Sequence, residues 1–552
     1  MAVQYSVHDD VALLAISYPP VNALGYEVRK GLLECSGKAF ADQSIKALVI
    51  VGEGKTFPAG ADVSEFSKGT TAEFPLTEVI AHIEAGPKPV IAAIHGTALG
   101  GGLELALGCH FRLAVPSAKV GLPEVHLGII PGAGGTQRLP RVTPAVKAAE
   151  IISSGVHLSA QAALKAGILD RVIPAGEDLR TAALAVARSL MSSPLDSMRV
   201  SGRPVVGGRE ALSELAALKS VVAKKARGMK SPVACVEAVQ AAVESASFED
   251  GMNEEMRIMF ELFTDPQARA LQYAFFAERQ AKKVPELQQL SPSDRPAQVQ
   301  SVGIIGAGTM GAGIAVCFLD AGIPVVLVDM QQAALDRGVG YIQHTYDSKV
   351  KSKRMAPATA EKRMSMLRGA LDYGAVSEVD LVVEAAFEGM AIKKDIFGKL
   401  DKICKADTIL ATNTSTLDID VIASATFRPD KVVGMHFFSP ANIMMLLEVV
   451  KGKASSKRTL ATAFALAGPL KKVAVMVGNC HGFVGNRMVY TYGAEAVFLV
   501  EEGASPAQVD GVLEKFGLAM GPLKMSDLAG LDVSWRVRQV RRELACDGHP
   551  PK

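Results

Sequence analysis

The run Gly306-Ala307-Gly308-Thr309-Met310-Gly311 restricts the fold of its half of the chain more tightly than any other feature. It follows the apolar stretch Val302–Ile305 and opens a helical pattern. The next apolar stretch, Val325–Val328, ends in Asp329, 18 residues after Gly311. Glycines at this spacing permit a tight turn and close approach of backbone to a ligand. A helix N-terminus behind them favours a phosphate. Strand, glycine turn, helix, strand and acid together specify a βαβ dinucleotide-binding unit. An acid in the place of Asp329 accepts from a ribose 2′-hydroxyl. Gly306, Gly308, Gly311 and Asp329 therefore predict NAD, rather than NADP, as the cofactor.

A chain of 552 residues suggests roughly three or four domains. Hydrophobic content of 49% with 21% charged residues is ordinary for a globular protein. A net charge of +2 argues against nucleic acid or an acidic membrane surface as the main partner. No apolar run reaches the ~18 residues that span a bilayer, and the acidic start of the chain lacks the apolar core of a secretory signal. Seven cysteines are scattered singly with no C-x-x-C pair. Free thiols in a reducing compartment are expected, with no zinc site and no other metal.

Residues 1–190 alternate strand-like runs (Val11–Ser17, Ala47–Val51, Val90–Ile94) with helical stretches, a pattern of stacked β-α units. Residues 191–298 read as a helical extension, with a long helix over Ala270–Lys283, and a Pro-containing linker from Pro285. The α/β pattern restarts over 299–477, with further strands at Leu381–Val383 and Thr408–Leu410. Residues 478–535 read as helical, and 536–552 do not continue the pattern. The fold class is α/β, with a helical stretch after each of the two α/β regions.

The first candidate site lies in 1–190. Gly100-Gly101-Gly102 follows the Val90–Ile94 strand and precedes a helix beginning near Leu103. The free N–H groups of that helix start carry a positive dipole end. Aimed at a thioester oxygen, such donors stabilise an enolate, each by roughly 3–4 kcal/mol in the transition state. The N–H of Gly101 is one candidate, and that of Ala61, in the turn Pro58-Ala59-Gly60-Ala61-Asp62, the second. Glu104 falls in the first helical turn, and Glu124 follows a proline twenty residues on. A glutamate in a first turn is ordinarily a surface residue complementing the dipole, and a glycine run ordinarily a loop. Two carboxylates beside two such donors are a much rarer combination, suited to activating water and moving a proton at an α-carbon.

These residues, with Pro20-Val21-Asn22-Ala23, Lys88-Pro89-Val90-Ile91-Ala92-Ala93 and the stretch from Gly121-Leu122-Pro123-Glu124 to Arg138-Leu139, resemble the enoyl-CoA hydratase/isomerase (crotonase) superfamily over residues 5–190. The resemblance implies a spiral of β-β-α units binding acyl-CoA thioesters, with Ala61 and Gly101 as oxyanion donors. It implies that Glu104 positions and activates water and that Glu124 exchanges the α-proton. The same pair can shift a double bond, so isomerase activity is implied as well.

In the second half lie Thr412-Asn413-Thr414-Ser415-Thr416, Gly434-Met435-His436-Phe437-Phe438-Ser439-Pro440, Glu448, and Gly482-Phe483-Val484-Gly485-Asn486-Arg487. Oxidising an alcohol requires a base for the hydroxyl proton, which a histidine supplies near neutral pH, and a carboxylate to orient the ring. This set resembles 3-hydroxyacyl-CoA dehydrogenase over residues 299–534. By that resemblance His436 is the base and Glu448 its partner, Ser415 and Asn486 orient the hydroxyl and the ring, and Glu388 lies on the nicotinamide side.

A hydratase followed by a dehydrogenase resembles the multifunctional enzymes of fatty-acid β-oxidation, their peroxisomal branch most of all. The implied sequence is trans-2-enoyl-CoA to (S)-3-hydroxyacyl-CoA to 3-ketoacyl-CoA, with tethering that raises the concentration of intermediate at the second site. The resemblance implies a peroxisomal location and, here, a monomer. It also implies a second helical domain and a terminal import tripeptide, whereas this sequence leaves the pattern at Trp535 and ends in His549-Pro550-Pro551-Lys552. Residues 536–552 thus read as an alternative or truncated C-terminus, leaving a cytosolic location open. On this reading apolar helix faces are exposed, the hydratase half works, and the dehydrogenase half is weak or unstable. Two alternatives follow: a hydratase/isomerase with an inactive second half, or a non-catalytic form that binds acyl-CoA and NAD.

Overall fold

The computed structural model describes residues 2–63, 65, 73–531 and 535. The divergent tail at 536–552 lies outside the described residues. Two compact units divide the chain, Met1–Phe275 and Phe276–Lys552.

The first unit is built on a six-stranded sheet in the order Val3–His8, Val11–Ile16, Ala47–Gly52, Val90–Ile94, Phe111–Ala114 and Arg171–Val172. The first pair is an antiparallel hairpin and the remaining pairs are parallel. Alternation within one strand shows why these residues form it: Ala12, Leu14 and Ile16 enter one apolar cluster, and Val11, Leu13 and Ala15 another on the opposite face. Burial on both faces is what a parallel strand requires. A three-stranded sheet of Thr97–Leu99, Lys119–Gly121 and Leu158–Ser159 stands beside it. It brackets the glycine run, and Gly100 N–H donates to Gly121 O at 2.9 Å.

Residues 191–275, set apart on composition, fold into this same unit. Helices Leu212–Ala226, Ser231–Glu244 and Phe248–Thr264 contribute Leu215, Cys235, Val239, Ile258 and Leu262 to the core that holds Leu105 and Ile130. Their apolar stripes have no other cover, so burial against the β-α layers wins over independence. The expected helix at 270–283 is observed as Pro266–Ala281 and spans the division between units.

The second unit carries an eight-stranded sheet. Its order is Leu367–Ala370, Val325–Val328, Val302–Ile305, Leu381–Glu384, Ile409–Thr412, Val432–Phe437, Leu446–Lys451 and Val473–Gly478. All neighbours are parallel except Val432–Phe437 with Leu446–Lys451. The strand expected at Thr408–Leu410 is shifted to Ile409–Thr412. Val302 and Ile304 face one core and Ile305 the other, so the sheet is covered on both sides. After it come helices Gly485–Glu501, Pro506–Phe516 and Pro522–Ala529, on which Met488, Phe498, Val512, Phe516 and Leu528 are exposed. No helix among the described residues is long and apolar enough to cross a membrane.

Two candidate active sites

In the first unit, helix Gly101–Gly108 starts directly after Gly100, whose φ of +52° is a left-handed conformation that favours glycine. Packing forbids a side chain at each glycine here. A Cβ on Gly100 would lie 2.6 Å from Glu124 Oε1, and one on Gly102 would lie 1.8 Å from Pro58 O. A Cβ on Gly101 would lie 3.3 Å from Ala61 N. The two predicted oxyanion donors and Glu124 are therefore assembled around one glycine turn. Gly101, as the first residue of the helix, has no intrahelical acceptor for its N–H.

Glu104 is buried, and its Oε1 accepts N–H bonds from Ala133 and Gly135, each at 2.8 Å. Burial pushes its carboxyl up, against the pull of those two donors and of Arg138. Glu124 opens a short 3-10 turn, Glu124–Leu127. Its Oε2 is buried with no hydrogen-bond partner among the described residues. Burial, then the charges of Glu104 and Glu255, drive its carboxyl well above the ordinary range. A carboxyl that retains its proton, beside a second carboxylate and two convergent N–H donors, can donate that proton to carbon.

Sequence reasoning missed Glu255. It lies on helix Phe248–Thr264, whose buried stripe is Gly251, Glu255, Ile258 and Leu262. A carboxylate inside an apolar stripe at helical spacing was the available signal. It accepts N–H bonds from Gly134 at 2.7 Å and Thr136 at 3.0 Å, and the Thr136 hydroxyl also donates to it. Burial and the charge of Glu104 push its carboxyl up to about 8.

In the second unit the glycine turn has the form its ligand requires. Gly306 has φ +101°, a Cβ on Gly311 would lie 1.8 Å from Gly306 O, and a Cβ on Gly308 would meet open space. Asp329 Oδ2 accepts the Ala307 N–H at 3.0 Å, which places the acid at the turn. These residues fit a dinucleotide with a free ribose hydroxyl.

His436 and Glu448 are directly opposed on the antiparallel strand pair. His436 Nδ1 lies 2.8 Å from Glu448 Oε2, and both residues are buried. Glu448 Oε1 accepts the N–H groups of Val484 at 3.0 Å and Gly485 at 2.8 Å. Burial pushes the Glu448 carboxyl up, but His436 and these donors outweigh it and hold it below the ordinary range. With its proton on Nδ1 facing Glu448, His436 leaves Nε2 to accept one. The rings of Phe438 and Phe483 flank the imidazole at 4.5 and 5.6 Å between centroids.

Asn486 follows Gly485 in the first turn of helix Gly485–Glu501, and its side chain makes no hydrogen bond to the described residues. Ser415 is tied to Glu388, its N–H at 3.0 Å and its hydroxyl at 3.2 Å, rather than to His436. Glu388 also accepts from the Thr414 hydroxyl at 2.6 Å. Its carboxyl stays low, since Lys393 and these donors overcome the effect of burial. Two further residues escaped the sequence. Lys393 Nζ is 2.8 Å from both oxygens of Glu384, a fully buried pair. Asn413 Oδ1 accepts the Phe437 N–H at 2.8 Å and fixes the Thr412–Thr416 loop beside His436.

Residues 7–223 match the family model described as enoyl-CoA hydratase/isomerase. Residues 301–480 match that of the 3-hydroxyacyl-CoA dehydrogenase NAD binding domain, and 482–552 that of its C-terminal domain. The last match takes in 536–552, where the sequence by itself offered no likeness. The peroxisomal bifunctional enzyme of Danio rerio is 46% identical over 98% of this chain and 74% of its own length. The human enzyme of the same name is 44% identical with the same coverages. The Arabidopsis thaliana peroxisomal fatty acid beta-oxidation multifunctional protein MFP2 is 37% identical over 95% of this chain and 73% of its own. The chain belongs to the multifunctional β-oxidation enzyme family. As a member it is an enzyme, with an enoyl-CoA hydratase/isomerase unit and an NAD-dependent 3-hydroxyacyl-CoA dehydrogenase unit. Its substrates are acyl-CoA thioesters.

Proposed function

We propose that the two sites carry consecutive reactions and that the residues named above divide the work as follows. In the first unit the thioester oxygen of a trans-2-enoyl-CoA accepts from Gly101 and Ala61 N–H. Glu104, its Oε1 held by two N–H groups, uses Oε2 to orient water and take its proton as oxygen bonds to the β-carbon. Glu124 gives its proton to the α-carbon. The carboxyls then exchange a proton to reset. Without water, proton transfer between the α- and γ-carbons gives the isomerase reaction. The observation that carries this reading is the buried, unpartnered Oε2 of Glu124 beside the glycine turn.

In the second unit His436 takes the 3-hydroxyl proton at Nε2, and ionised Glu448 stabilises the cationic ring. Ser415 and Asn486 flank the hydroxyl, while Glu388 lies on the nicotinamide side. NAD, held by Gly306, Gly308, Gly311 and Asp329, supplies the hydride acceptor when bound. The relatives' names support a peroxisomal setting. A two-signal assay on the purified chain tests the reading, with a short trans-2-enoyl-CoA and NAD. Loss of enoyl thioester absorbance and growth of NADH are both expected. Hydration without NADH would leave only the first half of the proposal standing.

A further inference from the structure

The loop Ala133–Thr136 offers four consecutive backbone N–H groups, and they alternate between two buried carboxylates. Ala133 and Gly135 donate to Glu104. Gly134 and Thr136 donate to Glu255. The left-handed φ of +93° at Gly134 produces this alternation, and a Cβ there would lie 2.0 Å from Arg138 Nη1. Both oxygens of Glu255 are occupied by donors, so it has none to offer a substrate. It is 1% exposed, and burying a carboxylate costs several kcal/mol. An apolar residue in its place would instead orphan two N–H groups, and the loop would turn to satisfy them.

We propose that Glu255 is a positioning residue for hydration: by holding the Gly134 and Thr136 N–H groups it keeps those of Ala133 and Gly135 on Glu104 Oε1, leaving Glu104 Oε2 aimed at water. The proposal rests on the hydratase reading of this site. The ionisable groups facing the loop are Glu104, Arg138 and Glu124, with Cys235 next to Glu124. Glu255 also acts on Glu124 by charge, since it is among the causes that raise that carboxyl.

The test compares Glu255→Gln with Glu104→Gln in the full chain, with far-UV circular dichroism and thermal unfolding as the control for folding and NADH formation from (S)-3-hydroxyacyl-CoA as the control for the second unit. Glu255→Gln keeps the shape but supplies an N–H where an acceptor is needed. We expect kcat for hydration to fall by about tenfold to a hundredfold, with KM within about threefold, because a small misplacement of a catalytic group acts mainly on the chemical step. Above about pH 8, where Glu255 is ionised, the alkaline limb of its pH profile moves to lower pH, because Glu124 has lost a neighbouring negative charge. A structural role alone leaves that limb in place. An unchanged kcat, or a fall with an unmoved limb, overturns the proposal. If Glu104→Gln itself retains hydration, the reading of the site fails first, which separates the two failures. Should Glu255→Gln not fold, Thr136→Val removes one donor to Glu255 and is expected to lower kcat in the same direction. An unaltered rate there counts against the proposal.

Discussion

The two sites use the same side chain in opposite electrical settings. In the first unit Glu104, Glu124 and Glu255 are buried near one another, and each carboxyl is pushed up. In the second, Glu448 faces His436, and Glu388 lies 3.4 Å from Lys393. Both are held below the ordinary range. Burial keeps protons on, with like charges adding to it at Glu124 and Glu255, whereas hydrogen-bond donors at Glu448 and Lys393 with further donors at Glu388 take them off. Hydration needs a carboxyl that can donate a proton to carbon, and alcohol oxidation needs a carboxylate that can stabilise an imidazolium. The two constellations thus differ in the neighbours of their glutamates rather than in the glutamates themselves.

The largest expected effects break one half and spare the other. His436→Gln should lower oxidation by about 10²–10⁴-fold and leave hydration intact, while Glu124→Gln should do the reverse. Steady-state rates with each half's own substrate check this. Next in size, Lys393→Met leaves Glu384 buried without a counter-charge and should cost the second unit roughly 3–5 kcal/mol. Denaturant unfolding followed by the single tryptophan, Trp535, measures it, because that residue lies in the second unit. Removing an acceptor from one buried N–H is smaller: Asn413→Ala frees the Phe437 N–H and should cost about 1–3 kcal/mol, read in the same experiment.

The smallest effect, read per unit of pH, sharpens the comparison further. Glu255 holds its proton up to about 8 when folded, against 4.5 for a free glutamate. Between those values the folded first unit binds more protons than the unfolded one, so its stability falls as pH rises. Glu448 and Glu388 titrate below 4.5 when folded. The unfolded chain then binds more protons in acid, so the second unit loses stability as pH falls through their folded values. Each group contributes at most about 1.4 kcal/mol per pH unit. Heat inactivation of hydration should quicken towards alkaline pH and that of oxidation towards acid. Parallel slopes would contradict the electrostatic contrast.

Much of this was legible in the sequence because the decisive residues sit in local patterns. Gly100–Gly102 with Glu104, and the turn Gly306–Gly311 with Asp329, carry their geometry in short stretches of sequence. The partners of Glu255 were not legible, since it meets Thr136 across 119 positions of chain, although its place in an apolar stripe marked it as buried. Lys393, on helix Met390–Ile403, was not singled out either, since its partner Glu384, at the end of strand Leu381–Glu384, is set by how that helix packs on the sheet. The membership of 191–275 in the first unit was hidden for a related reason: composition identifies helices but not the face against which they are buried. Ser415 was singled out through the resemblance alone, and its hydrogen bonds run to Glu388, a choice made by tertiary approach.

The most direct test of two sites acting in sequence uses Glu104→Gln with two substrates, each supplied with NAD. With trans-2-enoyl-CoA no NADH should form above a slow residual rate, and with (S)-3-hydroxyacyl-CoA NADH should form at the rate of the unaltered chain. NADH at the full rate from the enoyl substrate, or none from the hydroxyacyl substrate, would contradict the assignment of consecutive reactions to two separate constellations.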